Sequence, residues 1–397
     1  MRKIEQLPET ADVVVIGGGV IGAACAWWLE RAGRQVLLLE ARSSIGSYTT
    51  PNALGTIRTQ YGSPTLVTMA QESLAFHRQV EEHLGAHPDD VGWANQGYLY
   101  LTENADHVPR LHESLAEYEA LGVTSSRVVE EPELSERFPF AGSSVAAILH
   151  ADGSWVDPAR ITHAWAAACA TTDVLVDTPV EHIEATGAEW EVVTAGGAVR
   201  ASTVVVAAGP RTPALLDPFG VDAPVKITPR YRAFIPFDDA AHAAAPLVIN
   251  IVNGAYWRPV PGGVWLSTAN VDHRSVEPGD TVRIPSGFLD ECLEQMESVS
   301  PDLVAHARSL DPNEVTYAGG FQSYPADDIP IIDAIPGAPG LFANYGHWAG
   351  VMLAPASGRL LTDLVSGAIG NGDNPCSLGR FNDPAPRSST NKFGGWG

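Results

Sequence analysis

Residues 12–40, DVVVIGGGVIGAACAWWLERAGRQVLLLE, constrain this chain more than any other stretch. A short apolar run, Val13 to Ile16, has the character of a buried strand and ends at Gly17-Gly18-Gly19. A helical stretch from Val20 to Ala32 follows, with Gly33 as its stop, and a second apolar run, Val36 to Leu39, ends on Glu40. Strand, glycine turn, helix and strand are the context in which G-x-G-x-x-G carries meaning, and the pattern falls on Gly17, Gly19 and Gly22. Gly17 permits a turn that a Cβ would obstruct. Gly19 lets the backbone approach a pyrophosphate, and Gly22 lets the helix lie close to the strand. The first helical turn offers unpaired N–H groups and a partial positive charge to the phosphates. Glu40, 18 residues after Gly22, can accept hydrogen bonds from ribose hydroxyls and would repel a 2′-phosphate.

The chain has 397 residues, enough for two domains. No run reaches the roughly 18 apolar residues of a membrane helix. The opening MRKIEQLPETAD lacks an apolar signal region, so a cytoplasmic location is expected. A net charge of −23 argues against nucleic acid or an anionic membrane as partner. The four cysteines are far apart, with no C-x-x-C, and read as free thiols. His83 and His87 are four apart, but Gly85 and Pro88 spoil a helix there, so no metal site is expected.

After Glu40 comes a loop rich in Gly, Ser, Thr and Pro, with Arg58 near its end. Helices are predicted over 65–84, 108–121, 158–171, 287–310 and 351–365, and a short helical connector over 130–140. Strands are predicted over 92–102, within 146–158, through several short runs from Val174, over 203–210, and over 225–237, 247–252, 315–321 and 341–345. The apolar run TVVVAAGP ends where a buried strand meets a ligand or another backbone. YWRPV-PGG-VWLST reads as a hairpin. The tail from Asp383 is low in apolar residues and reads as loose.

Four motifs together resemble the flavoprotein family of amino acid and amine oxidases that includes D-amino acid oxidase, glycine oxidase and sarcosine oxidase. They are Gly17–Glu40, Thr203–Gly209, Asp327-x-x-Pro330 and Gly346–Gly358. Thr56-Ile57-Arg58 with Tyr61-Gly62 is most similar to the sarcosine oxidase branch. The resemblance implies an α/β fold: a Rossmann-like FAD-binding domain in discontinuous segments (1–90, 145–224 and 318–382) and a mainly antiparallel α+β substrate domain (91–144 and 225–317). Residues 383–397 form the tail. It also implies FAD rather than NAD, held by Gly17, Gly19, Val20, Ile21, Gly22, Glu40, Ala41, Arg42, Val180, Ala208, Gly209, Gly346, His347, Gly350, Val351 and Met352. The last helix would aim its first N–H groups at the flavin pyrimidine.

The departures matter as much. Some members attach FAD through a cysteine where this chain has Gly320, so thioether attachment there is excluded and non-covalent FAD is expected. An arginine that holds the substrate carboxylate in glycine oxidase-like members is Gln322 here. Sarcosine oxidase-like members use an arginine matched by Arg58 and a lysine whose place is taken by Met352. A lysine that helps oxygen react in some members falls near Trp265. Of the three lysines, Lys3 and Lys392 are terminal, which leaves Lys226.

The expected reaction is oxidation of a C–N bond in a small amine or N-substituted amino acid by hydride transfer to flavin N5, giving an imine that hydrolyses, with O2 reduced to H2O2. Arg58 is the expected carboxylate anchor. Trp257, Tyr256 and His347 complete the catalytic candidates, with Tyr61, Arg230 and Tyr345 behind them. Strand alternation sets Tyr256 and Arg258 on one face and Trp257 on the other, and the resemblance favours Trp257 inward. The alternatives are a same-fold dehydrogenase of a 2-hydroxy acid or amino acid with a non-oxygen acceptor, and a non-catalytic flavin-binding subunit. An NAD-dependent dehydrogenase is disfavoured by the three-part nucleotide domain.

Overall fold

The computed structural model describes residues 1–269 and 274–382. Two sheets organise them. The first has nine strands, and its centre is the parallel set Val36–Leu39, Thr10–Ile16 and Gly197–Val206. Val13, Val14 and Val15 are fully buried, as are Val204, Val205 and Val206. Unbroken apolar runs suit a parallel sheet covered on both faces. Val13, Val15 and Val205 face the helices Val20–Arg31, Pro64–Arg78 and Gly350–Val365, while Val14, Val204 and Val206 face a second apolar layer with Trp190, Val199 and Ile335.

The strand Gly197–Val206 is shared along its length. Gly197–Ala201 pair antiparallel with Glu189–Thr194, whereas Val204–Val206 pair in parallel with Leu341–Tyr345. Thr10–Ile16 holds the opposite edge. The last strand therefore enters the nucleotide sheet on the far side of Gly197–Val206 from Thr10–Ile16, and the turns that follow Ile16, Val206 and Tyr345 gather at one end of the sheet. That end, beyond the carboxyl termini of parallel strands, is where such sheets hold ligands.

The second sheet has eight strands, in the order Thr316–Pro325, Val225–Pro236, Gly263–Thr268, Ala255–Val260, Leu247–Asn250, Tyr98–Thr102, Ala146–His150, Ser126–Glu130. Among the described residues of this sheet, only Leu247–Asn250 and Tyr98–Thr102 pair in parallel. One face buries Leu99, Ala233, Val248, Trp257 and Leu266 with Cys292, Met296 and Leu303 from the helices Phe288–Met296 and Pro301–Ser309. Among the described residues no helix is long and apolar enough to cross a membrane.

The sheets divide at other points than the sequence texture suggests. Ala146–His150, expected in the nucleotide unit from 145, lies between two strands of the second sheet. Thr316–Pro325 pairs with Val225–Phe234 over ten positions, so the boundary at 318 falls inside a second-sheet strand. The helix expected over 287–310 is two helices, the second opening at Pro301 in the first turn, where its missing N–H costs nothing. The helix over 65–84 breaks at Gln79. The tail, 383–397, lies outside the described residues.

Just before it, the chain is pinned to the segment that links the two sheets. Arg380 Nε donates to Asp327 Oδ2 at 2.8 Å, with the two side chains only 9% and 6% exposed. Arg380 also donates to the carbonyls of Ile329, Cys376 and Ser377. Removing one partner of a buried pair strands the other charge. Asp327→Ala is expected to cost about 3 kcal/mol, measured by urea denaturation. A loss below about 1 kcal/mol would show that the pair does not bear on stability.

Candidate active site between the two sheets

The glycine turn is built by close approach. A Cβ on Gly22 would lie 1.8 Å from the Gly17 carbonyl oxygen, and one on Gly17 would lie 2.5 Å from the Ala207 oxygen. Gly17 has φ +106°, outside the range of ordinary side chains. Gly19 differs: its Cβ would meet only Thr50 Oγ1, at 3.4 Å, so space lies open above it. Val20 N donates to that same Thr50 hydroxyl at 3.2 Å.

Glu40 is buried beside the turn. Its Oε2 accepts from Gly18 N at 2.6 Å and its Oε1 from Arg42 N at 2.8 Å. Burial raises its pKa despite those amides. Thr178 N donates to the Glu40 carbonyl and Asp177 N to the Arg42 carbonyl, which brings the start of the strand Val180–Thr186 alongside Glu40, Ala41 and Arg42. The Arg42 guanidinium turns to the carbonyl of Asp280 and lies 4.4 Å over the Tyr48 ring. Ala208 abuts Gly17, and Gly209 turns the chain away with φ +57°.

The strand Leu341–Tyr345 ends at Gly346, whose φ is +77° and whose added Cβ would strike Pro325 at 2.8 Å. The helix Gly350–Val365 then begins with no side-chain cap at Ala349. Between them, His347 Nε2 lies 2.7 Å from Asn344 Oδ1. The Asn344 amide donates to Cys25 Sγ and to the Ser357 carbonyl, so its oxygen faces His347 and the imidazole donates from Nε2. His347 Nδ1 is thereby a lone-pair acceptor, buried and without a hydrogen-bond partner among the described residues. Burial pushes this imidazole down to about 3. His347 stands behind the cavity described next rather than in its wall.

A cavity of about 1210 Å³ opens between the start of that helix and the second sheet. Arg58, Tyr61, Arg230, Tyr256, Gly350, Val351 and Met352 are in its wall. Met352 is the hinge of this corner: its Sδ accepts from Arg58 N and from the Tyr61 hydroxyl, each at 3.4 Å. The Arg58 guanidinium lies 4.3 Å over the Tyr61 ring and donates to the Gln60 carbonyl at 2.5 Å. Burial disfavours its charge, but the oxygens of Tyr100, Tyr61, Tyr98 and Tyr118 outweigh this and hold its pKa above the ordinary value.

Trp257 is a correction. It is fully buried on the other face of the sheet, where Nε1 donates to Ser300 Oγ at 2.8 Å and the ring meets Phe140 and His242. Tyr256, on the face opposite Trp257 as alternation requires, faces the cavity instead. Tyr345 is buried in the nucleotide sheet and also lies outside the cavity wall. Sequence reasoning missed Tyr98, Tyr324 and Trp348, all in the wall. Trp348 is one residue beyond His347, and Tyr324 is two beyond Gln322 on the same strand face, so both signals were within reach.

A family model described as FAD dependent oxidoreductase matches residues 12–364. This chain belongs to that family. It is thus an FAD-dependent oxidoreductase, and the glycine cradle with its open side at Gly19 and carboxylate at Glu40 fits an adenine dinucleotide. The glycine oxidase of Pseudomonas putida is 27% identical over 90% of this chain and 95% of its own length. The 4-methylaminobutanoate oxidase (formaldehyde-forming) of Paenarthrobacter nicotinovorans is 26% identical over 95% of this chain. The mitochondrial dimethylglycine dehydrogenase of Rattus norvegicus is 24% identical over 98% of it. The chain spans about half the length of these last two, 46% and 45%. The crystal structure of glycine oxidase from Geobacillus kaustophilus superposes with a TM-score of 0.80 at 23% identity, covering 97% of this chain and 99% of that one.

Acid should act on this enzyme through its buried imidazoles. His150 is fully buried, with Nδ1 against Ser125 and Ser126 and Nε2 against Thr59, the residue after Arg58. Burial pushes it from 6.5 down to about 3, and pushes His77 down to about 4. The unfolded chain then binds more protons than the folded one below about pH 6.5, so stability is full above that value and falls as pH drops toward 3. The melting temperature is expected to decline across this window, and His150→Gln to flatten the decline. An unchanged slope would place the acid sensitivity elsewhere.

Proposed function

We propose that this enzyme oxidises a C–N bond adjacent to a carboxylate in a small amine or N-substituted amino acid, with O2 as acceptor and H2O2 as product. The observation that carries the reading is the guanidinium of Arg58, held over the Tyr61 ring and against the Gln60 carbonyl while Met352 fixes the Arg58 backbone N–H and the Tyr61 hydroxyl, in a cavity wall formed also by the first turn of the helix Gly350–Val365. A fixed cation sets where a carboxylate sits, and position is most of what this chemistry asks of a protein. Bound FAD supplies the two-electron acceptor.

The chain's own groups do the rest. Arg58 takes the carboxylate. Tyr61, Tyr256, Tyr324 and Trp348 exclude water, which disfavours the ammonium form and leaves the amine lone pair available. The uncapped N–H groups at Gly350, Val351 and Met352 favour negative charge at that end of the cavity. His347 presents a lone pair, not a proton, from Nδ1. The substrate loses two electrons and becomes an imine, which water hydrolyses.

Non-covalent FAD is part of this reading. The four cysteines are Cys25, Cys169, Cys292 and Cys376, all buried, and Gly320 offers no nucleophile. Acid precipitation is expected to leave the yellow colour in the supernatant, and colour in the pellet would overturn this part.

The principal test is anaerobic bleaching of the holoenzyme by a panel of amines, amino acids and 2-hydroxy acids. An N-substituted amino acid should bleach it, and Arg58→Met should retain FAD while weakening that substrate about a hundredfold or more. Bleaching by hydroxy acids alone would replace the reading with a hydroxy-acid dehydrogenase. An oxygen electrode run beside a dye-reduction assay decides the acceptor.

A further inference from the structure

One segment of the second sheet leaves its own layer. Residues 275–284 run as irregular chain between the strand Gly263–Thr268 and the helix Phe288–Met296. Both ends are held at home. Ser275 Oγ accepts from Ile227 N at 3.2 Å, and Val276 N donates to the Ile227 carbonyl at 2.8 Å. Val282 and Ile284 lie over Gly319, where an added Cβ would come within 3.0 and 3.1 Å of them. Ile227 and Gly319 belong to the paired strands Val225–Pro236 and Thr316–Pro325.

The tip between these anchors reaches the nucleotide sheet. The Tyr48 hydroxyl donates to the Gly279 carbonyl. Arg42 donates to the Asp280 carbonyl at 3.0 Å, and Arg211 donates to Asp280 Oδ1 at 3.0 Å, with Arg42 3.5 Å from that same oxygen. The Tyr48 ring stands 4.4 Å from the Arg42 guanidinium and 5.7 Å from that of Arg211. The two arginines follow different strands. Arg42 is two residues past Glu40, beyond Val36–Leu39, and Arg211 closes the turn Gly209–Arg211 beyond Gly197–Val206. Thr10–Ile16 lies between those two strands and runs into Gly17. One residue of the second sheet therefore joins the turns on either side of the glycine turn, across the crevice in which a parallel sheet holds a dinucleotide.

We infer that 275–284 is a strap closed over the bound dinucleotide, that Asp280 is its latch, and that opening of the latch sets how fast FAD leaves. The inference rests on the reading of FAD as non-covalent, which acid precipitation tests separately. Asp280 is a positioning residue: it touches Arg42 and Arg211 and acts through them. Its side chain is 85% exposed, so its ion pairs add little to the stability of the folded chain and weaken in salt. Residues 275–281 are exposed apart from Pro278, and a segment that buries so little opens locally without disturbing either core.

The test holds the FAD-loaded full chain over an ultrafiltration membrane and follows FAD in the filtrate with time. At low salt Asp280→Asn should release FAD about three- to tenfold faster than the unmodified enzyme, and Asp280→Glu should restore most of the difference. In about 1 M NaCl the ratio of the two rates should fall toward one, because salt screens the latch of the unmodified enzyme as well. Arg211→Gln should speed release by itself and add little on top of Asp280→Asn, as partners in one contact do. The melting temperature in excess FAD checks that each variant folds. A faster release that Asp280→Glu does not restore, or that persists undiminished in high salt, would reduce Asp280 to a general structural tie and overturn the inference. Slower release from Asp280→Asn would overturn it too, by showing that Asp280 competes with the cofactor for the arginines. Equal release rates at low salt would overturn it while a yellow acid supernatant leaves the non-covalent reading standing.

Discussion

The contact between Gly22 and the carbonyl of Gly17 governs the geometry of this enzyme. With a Cβ only 1.8 Å from that oxygen, no other residue could let the helix Val20–Arg31 start so close to the strand it follows. A second close approach passes the constraint on. Gly358 of the last helix lies against Ala24, where a Cβ would come within 3.0 Å of backbone and 2.6 Å of the Trp28 ring. The first helix is thus locked to the first strand, and the last helix is locked to the first. Because Gly350 begins that last helix, its position at the cavity wall is inherited from the Gly22–Gly17 contact near the start of the chain and from the contact of Gly358 with Ala24 and Trp28.

The loop that carries Arg58 is fixed from the other side. Arg232 donates to the carbonyls of Pro51 and Ala53, and Arg258 to that of Leu54. Their guanidinium carbons lie 3.4 and 4.3 Å from the ring centre of Trp265. Burial pushes Arg232 down to about 10 and Arg258, with Arg232 as a further cause, down to about 9. Two cations held this way are costly in a low dielectric, and carbonyl oxygens with an aromatic face offset the cost only in part. The second sheet spends stability to hold a loop of the nucleotide unit, and that loop runs directly into Thr56, Ile57 and Arg58.

What could be read from the sequence was local. The glycine turn, Glu40 and the final glycine–helix unit are each defined within a few residues, and the structure gathers them at one end of the parallel strands. Arg58 lies near the end of a loop of small polar residues, and it stood out through the resemblance to the sarcosine oxidase branch, whose early-loop arginine it matches. Long-range pairing was not legible. Nothing inside Ala146–His150 says whether its neighbours are Tyr98–Thr102 or the nucleotide strands, since a buried apolar strand suits either sheet. Trp257 shows the same limit. Period-two alternation sets it opposite Tyr256, but which of the two faces the cavity depends on Ser300, 43 residues away, accepting the indole N–H.

The thioether of Met352 has a consequence for how the Arg58 corner answers to its surroundings. A second ammonium there would gain and lose a proton with alkalinity, and grip would vary with it. Sulfur has no such proton, the guanidinium keeps its own across the biological range, and burial keeps the Tyr61 phenol from ionising. This corner of the enzyme therefore presents the same face to a guest in mildly acid or alkaline media, and sensitivity to the medium passes to the guest's own amine.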